Sequence, residues 1–377
     1  MSFNVSIIYD YFTPAFRAGG PTQSLYNLVT SLRNAIAEAG GALKVICTDE
    51  DLGGVKLHVP ADEWTAVSTG PNTCVEVWYA SANGEGRIER LINQSDVLFI
   101  NSIFSHHFNY ASLIKSRARR KIISPRGMLD PGSLSQKPWK KQIYLAYLKL
   151  KGIDRLCEWH ATTEQEKHNI QKVFGTKAKV WVVPNFPRVI EFQPTHKETG
   201  RLALVTIALV SPMKNHLLIL QALHRVTSEV SWDIYGPIKD QAYWKACEQL
   251  IKTLPGNITV TYHGDVPPVS VPAALAKGQV AILPSKSENF GHSIYEAFTA
   301  GKPVVTSMNT PWNQLKGKKA GINVGIANEE SLKEAIEVFA NMQDSEFQVW
   351  AKSARELAIK AVDIESIKQG YLAMFEG

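Results

Sequence analysis

The chain has 377 residues, 45% of them hydrophobic and 20% charged. That is enough apolar sequence for two full-sized cores, and it excludes a disordered or fibrous chain. A net charge of +6 with only four cysteines excludes a disulfide scaffold, and no run of about 18 apolar residues is present to cross a membrane.

Val5 to Tyr9 reads as a first buried strand. No basic segment precedes it and Asp10 ends it early, so no secretory leader is expected and the protein is placed in the cytoplasm. Cys47, Cys74, Cys157 and Cys247 form no C-x-x-C pair, and they read as buried thiols in a reducing compartment. The loop Ala15-Phe16-Arg17-Ala18-Gly19-Gly20-Pro21 then leads into a helical pattern through Leu25, Leu28, Val29 and Leu32. Further strands are predicted at Lys44–Cys47, Cys74–Trp78, Val97–Ile100 and Lys121–Ile123. Helices are predicted near Ile88–Ile92, Ser105–Arg117 and Lys140–Leu150.

The prolines of Val183-Pro184-Asn185-Phe186-Pro187 and the polar stretch Gln193–Arg201 read as an interdomain linker. Beyond them the alternation restarts, with strands predicted at Leu202–Ala208, Trp232–Tyr235, Ile258–Tyr262, Val280–Leu283 and Val304–Thr306. Helices are predicted at Asn215–Val226, Gln241–Leu250, Val271–Ala276, Ser293–Thr299 and Ser331–Ala340. Short apolar strands alternating with helices imply parallel βαβ units. The expected fold is α/β, with two doubly wound Rossmann-like domains, 1–187 and 188–361, facing a central cleft. Ligands are expected at the C-terminal ends of the strands.

The strongest chemical signal is the stretch from Ser287 to Phe298, which holds Glu288, Asn289, Phe290, Gly291, His292 and Glu296. It follows a buried strand and opens a helix. Glu288 would lie in the loop at the helix entrance, and Glu296 a little over one turn inside. Between them the first N–H groups of the helix have no intrahelical partner and carry the positive end of its dipole. Two hydroxyl-binding carboxylates around an anion-binding helix end suit a sugar joined to a diphosphate. The Gly19-Gly20 turn after the first strand would likewise let backbone N–H groups approach a phosphate or a sugar.

This stretch resembles the signature of retaining GT-B glycosyltransferases, in particular glycosyltransferase family 4 and its bacterial polysaccharide members. The glycine loop at 15–21, Ser124-Pro125-Arg126-Gly127-Met128-Leu129, Val183-Pro184-Asn185 and Ser211-Pro212-Met213-Lys214-Asn215 are similar to segments of the same family. The resemblance implies transfer of a sugar from a UDP- or GDP-linked donor to a saccharide or polyprenyl-diphosphate-linked acceptor, in surface polysaccharide or lipopolysaccharide synthesis. It implies that Glu288 and Asn289 hold the donor sugar. It implies that Lys214, Gly20 and the N–H groups of Phe290, Gly291 and His292 serve the diphosphate, and that Glu296 binds the ribose. It also implies no metal or other cofactor, and a final helix after Val362 that returns to the first domain. Two departures stand out. The family's usual phosphate-binding arginine is replaced by Leu209, leaving Arg17 or Arg126 as substitutes, and its mid-domain histidine is replaced by Arg126. Arg17, Asn101 and His107 complete the expected acceptor side, with His106 beside them.

Three other features compete. Asp49-Glu50-Asp51 has the form of a D-x-D metal motif, which would make a metal-dependent transferase, although its place early in the chain, in a Gly-containing acidic loop, reads first as a solvated loop. The missing arginine and histidine leave open a nucleotide-sugar-binding protein without catalysis, and an epimerase of similar fold is a further alternative. Twelve Lys/Arg between Lys115 and Arg155 face only Asp130 and Asp154. Within that window Trp139, Ile143, Tyr144, Tyr147 and Leu148 form an apolar stripe beside lysines. It reads either as a helix for an anionic membrane surface or as an ordinary amphipathic helix on its own sheet. No nucleic-acid motif accompanies the charge.

Overall fold

The structure is a computed structural model that describes residues 3–18, 20–70, 73–82, 85–105, 112–135, 138–288 and 290–377. The chain divides into two compact units, Met1–Phe186 with Ile364–Gly377, and Pro187–Asp363.

The first unit holds strands β1 (Val5–Ile8), β2 (Leu43–Thr48), β3 (Glu50–Asp51), β4 (Val55–Lys56), β5 (Trp64–Gly70), β6 (Thr73–Ala80), β7 (Val97–Asn101), β8 (Arg120–Ser124), β9 (Glu158–Ala161) and β10 (Val180–Val182). Eight of them form one sheet in the order β10-β9-β8-β7-β1-β2-β6-β5, and β3 pairs with β4. All pairings in the large sheet are parallel except β5 with β6. β1 and β7 are fully buried, which is why they are predominantly apolar, with only Ser6 and Asn101 polar. The final helix Ile364–Glu376 belongs to this unit. Its Tyr371 stacks on Phe186 with ring centres 5.3 Å apart, and its Phe375 meets Phe99 at 5.6 Å.

The second unit holds β11 (Arg201–Ile207), β12 (Glu229–Tyr235), β13 (Ile258–Tyr262), β14 (Val280–Leu283), β15 (Val304–Ser307) and β16 (Gly321–Val324). They form a wholly parallel sheet in the order β13-β12-β11-β14-β15-β16. Strand order therefore reverses between β11 and β14, the arrangement of a Rossmann fold. Side chains alternate between two cores, as a pleated strand requires. Leu202, Leu204, Ile282 and Val305 share a core with helices His216–Leu223 and Glu329–Ala340. Val205, Ala281 and Leu283 pack with helices Val271–Lys277 and His292–Thr299. Both faces are thus covered by helices.

Several expectations are corrected. Ser105 lies outside any helix, and the helix near it is Ser112–Lys115 among the described residues. The stretch Gln193–Arg201 is not a free linker. Lys197 is 2% exposed and its ammonium donates to the carbonyls of Glu198, Arg201 and Ala340, which ties the stretch into the second unit. Cys47 and Cys247 are buried, but Cys74 is exposed on β6 and Cys157 half-buried. The acidic loop is not simply solvated: Asp51 is buried and accepts the N–H groups of Phe16, Arg17 and Leu52. No helix among the described residues is long and apolar enough to cross a membrane.

Candidate active site

The reversal between β11 and β14 leaves a gap in the helical cover at their C-terminal ends, and the loops that leave these two strands meet there. They are clamped to each other. The N–H of Lys286 donates to the Met213 carbonyl at 2.8 Å. Asn215 donates from its amide to the carbonyls of Pro284 at 3.2 Å and Ile326 at 2.9 Å. It does so from a left-handed conformation (φ 64°), which caps the following helix. Lys214 therefore sits in the turn ahead of the helix, which begins at His216 rather than at the predicted Asn215.

This clamp brings Lys214 and Glu288 together. The ammonium is ion-paired and hydrogen-bonded to Oε1 of Glu288. Their side chains are only 20% and 12% exposed. Ser285 donates its hydroxyl to the same carboxylate oxygen at 2.7 Å, and Asn309 accepts the N–H of Glu288 at 3.3 Å. The carboxylate is thus fixed through Oε1 by two donors, in the loop beyond a strand end.

Gly291 caps the next helix in a left-handed conformation (φ 76°), and a Cβ there would lie 3.1 Å from Ile294 Cδ1. Glycine is needed at this turn on both counts. Trp312 holds it from behind by donating its indole N–H to the Phe290 carbonyl at 2.6 Å, and it packs against Phe290, Tyr295 and Phe298. The first N–H groups of the helix are the donors this turn presents. His292 begins the helix, and burial lowers its pKa, opposed by Glu288 and reinforced by Arg188. A neutral imidazole is the result near neutral pH.

Glu296 is 6% exposed and ion-paired to Arg188, with 3.3 Å between Nε and Oε1. Burial raises its pKa and Arg188 pulls it back. Arg188 is anchored by donating to the Pro268 carbonyl at 2.6 Å. Reasoning from sequence missed Arg188. Its only local signal is a cation directly after the Pro-Asn-Phe-Pro break, a place where linker residues are common. Leu209, where a phosphate-binding arginine had been expected, is 37% exposed.

The remaining predicted residues lie in the first unit. Asn101 ends β7, and Arg126 follows β8 in a left-handed turn (φ 54°) with Gly127. The Arg126 guanidinium donates to Asn101 Oδ1 at 2.9 and 2.7 Å and also to Asn185. Glu166 holds the turn by accepting the Gly127 N–H at 2.7 Å. Gly20 opens the helix Gly20–Glu38, and a Cβ there would meet no protein atom within 4 Å. Protein packing therefore does not account for a glycine at 20. Arg17 gives its N–H to Asp51, and Asp49 is paired with Lys56 at 2.9 Å. Both carboxylates of the D-x-D thus already have protein partners. Gly19, His106, His107 and Asn289 lie outside the described residues.

Residues 188–357 match the family model described as "Glycosyl transferases group 1". No curated protein matches the chain significantly. Among solved structures, HepE from Anabaena, crystallised with UDP-glucose, is 15% identical with a TM-score of 0.65, and the match covers 99% of both chains. Sucrose-phosphate synthase from Thermosynechococcus elongatus is 14% identical with a TM-score of 0.66, covering 99% of this chain and 98% of that one. TarM from S. aureus, crystallised with UDP and α-GlcNAc-glycerol, is 13% identical with a TM-score of 0.66 over the full length of both chains. The chain accordingly has the GT-B fold, with two Rossmann-like units, and its segment 188–357 matches the glycosyl transferases group 1 model.

Proposed function

We propose that the protein is a retaining glycosyltransferase of the family 4 type. It moves a hexose-type sugar from a UDP- or GDP-linked donor to a saccharide or polyprenyl-diphosphate-linked acceptor, in the cytoplasm, during surface polysaccharide synthesis. The observation that carries this reading is the Lys214–Glu288 pair, fixed at the strand reversal of the second sheet and beside the N-terminus of helix His292–Thr299.

The chemistry follows from those groups. A departing diphosphate gathers negative charge as the glycosidic bond breaks. Lys214 and the N–H groups of Gly291 and His292 form a positive field for that charge, and such donors at a developing anion account for roughly 10²–10³ in rate each. Glu288, already held by Ser285, accepts hydroxyl protons of the donor sugar, together with Asn289. Glu296 accepts the ribose hydroxyls, and Arg188 offsets part of the burial that raises its pKa. The acceptor is assigned to Arg17, Asn101 and His107, and Arg126 to the reacting groups beside it. The leaving phosphate oxygen takes the acceptor proton on the same face, which preserves the anomeric configuration. With a cation and a helix end serving the diphosphate, the reaction needs no metal, and an added chelator should leave the rate unchanged.

The test is transfer from labelled nucleotide sugars to a panel of saccharide acceptors. Wild-type protein should release nucleoside diphosphate and form one anomer matching the donor. Glu288→Gln should lose two orders of magnitude or more. Full turnover in that variant, or an inverted product, would refute the assignment.

A further inference from the structure

The helix Pro138–Leu150 carries two apolar faces, only one of which the fold uses. Leu145 and Leu148 are 7% and 2% exposed and belong to the core of the first unit. Tyr144 and Tyr147 pack beside them. The stripe read from sequence is therefore mostly inward. A second stripe lies on the opposite side. Trp139, Ile143 and Leu150 are 62%, 63% and 87% exposed, and Ala146 between them is exposed as well. At 100° per residue, positions 139, 143, 146 and 150 fall within one narrow sector, directly opposite the buried leucines.

Charge frames this outer stripe. Lys140 and Lys149 fall on its two sides, Lys151 follows, and the helix contains no acidic residue. Among the described residues no carboxylate pairs with any of these three lysines. Lys140 lies over the Trp139 ring at 5.3 Å and Lys151 over the Tyr147 ring at 5.8 Å. Just beyond, Arg155 and Leu156 are exposed too. Large apolar side chains held in water on one ridge, flanked by lysines with no carboxylate partner among the described residues, call for a partner that is apolar inside and anionic at its surface.

We propose that this ridge docks on the surface of an anionic lipid bilayer, with Trp139, Ile143 and Leu150 entering the headgroup–acyl boundary and Lys140, Lys149 and Lys151 meeting lipid phosphates. The helix has 13 residues, about 20 Å, so it lies in the interface and does not span it. A tryptophan at one end is placed as interfacial aromatics are. A second copy of the chain is the poorer occupant, because a two-fold contact would set lysines against lysines with no acid on the helix to offset them. Nucleic acid would use the lysines and leave the apolar ridge without a role.

The full-length protein should cosediment with vesicles of mixed phosphatidylglycerol and phosphatidylcholine, and not with phosphatidylcholine alone. High salt should weaken the binding. Ile143→Asp combined with Leu150→Asp should abolish it while leaving the melting temperature unchanged, since both positions are exposed. Lys140→Gln with Lys149→Gln should weaken it roughly thirtyfold, at about fivefold per basic residue near an anionic surface. Brominated lipid should quench a fluorescence component that is missing in Trp139→Phe. Absence of vesicle binding, binding that survives the aspartate pair, or self-association abolished by that pair would each overturn the proposal. None of these readouts involves a sugar donor, so their outcome is independent of the transfer reaction.

Discussion

Glu288 and Glu296 have the same side chain and opposite surroundings. Glu288 is held by Lys214 and Ser285, whereas Glu296 is buried against a single cation, Arg188. Replacing Lys214 with Ala should therefore lower kcat by 10²–10³ and leave the fold intact, as read by transfer kinetics and circular dichroism. Arg188→Met acts differently, because it strands a buried carboxylate. Loss of one partner of such a pair costs about 3–5 kcal/mol. The pKa of Glu296 is already raised by burial, so the folded state takes up its proton more readily than the unfolded chain. The penalty is present at higher pH and is relieved as pH falls through that raised pKa. Urea unfolding of Arg188→Met should accordingly show a deficit that shrinks on mild acidification, while the donor KM rises over the same range. A deficit independent of pH would count against the Glu296 assignment. His160 gives the reverse sign. Buried between Ser124 and the Val183 carbonyl, it has its pKa lowered to about 3 by burial. Folding then loses stability as pH drops below the ordinary histidine value, by about 2 kcal/mol near pH 5. His160→Gln should flatten that slope in urea titrations.

At the scale of elements, what was legible in the sequence was the chemistry that clusters along the chain. Gly291, Glu288 and Glu296 share one stretch, and buried strands such as β1, β7 and β14 read directly as apolar runs. What was hidden depended on contacts distant in sequence. The meeting of Lys214 with Glu288 spans 74 positions, and that of Arg188 with Glu296 spans more than a hundred. β9 was missed because Glu158 and His160 break its apolar run; the first pairs with Arg120 at 2.6 Å and the second hydrogen-bonds within the core. β16 opens on Gly321, where a Cβ would lie 2.0 Å from the Val304 carbonyl oxygen, so close strand approach required the residue that argues against a strand. The turn at Gly291 is the element most open to test. Gly291→Ala places a side chain at φ 76° and 3.1 Å from Ile294, and should weaken donor binding at least tenfold. Trp312→Phe keeps the ring and deletes the bond to the Phe290 carbonyl, and should have a smaller effect in the same direction. Donor titrations of both variants check the order.

Across the whole molecule, the two units differ in what they contribute. The second unit supplies the paired carboxylates, the cations and the helix end, and it is the part that matches the glycosyl transferases group 1 model. The first depends on the far end of the chain for its core, since Tyr371, Met374 and Phe375 are fully buried in it. Tyr371→Ala should destabilise that unit by about 3–5 kcal/mol and expose it to limited proteolysis, with the second unit less affected. If Lys214 and Glu288 form a nucleotide-sugar site, a thermal-shift titration with UDP- and GDP-sugars will register it. At a hundredfold excess over Kd a true donor stabilises the fold by about 2.7 kcal/mol, which corresponds to an upward shift of roughly 5–10 °C for a domain of this size. That shift is expected for at least one donor with the wild-type protein, and its loss in Lys214→Ala. No shift with any nucleotide sugar, or an equal shift in Lys214→Ala, would contradict it.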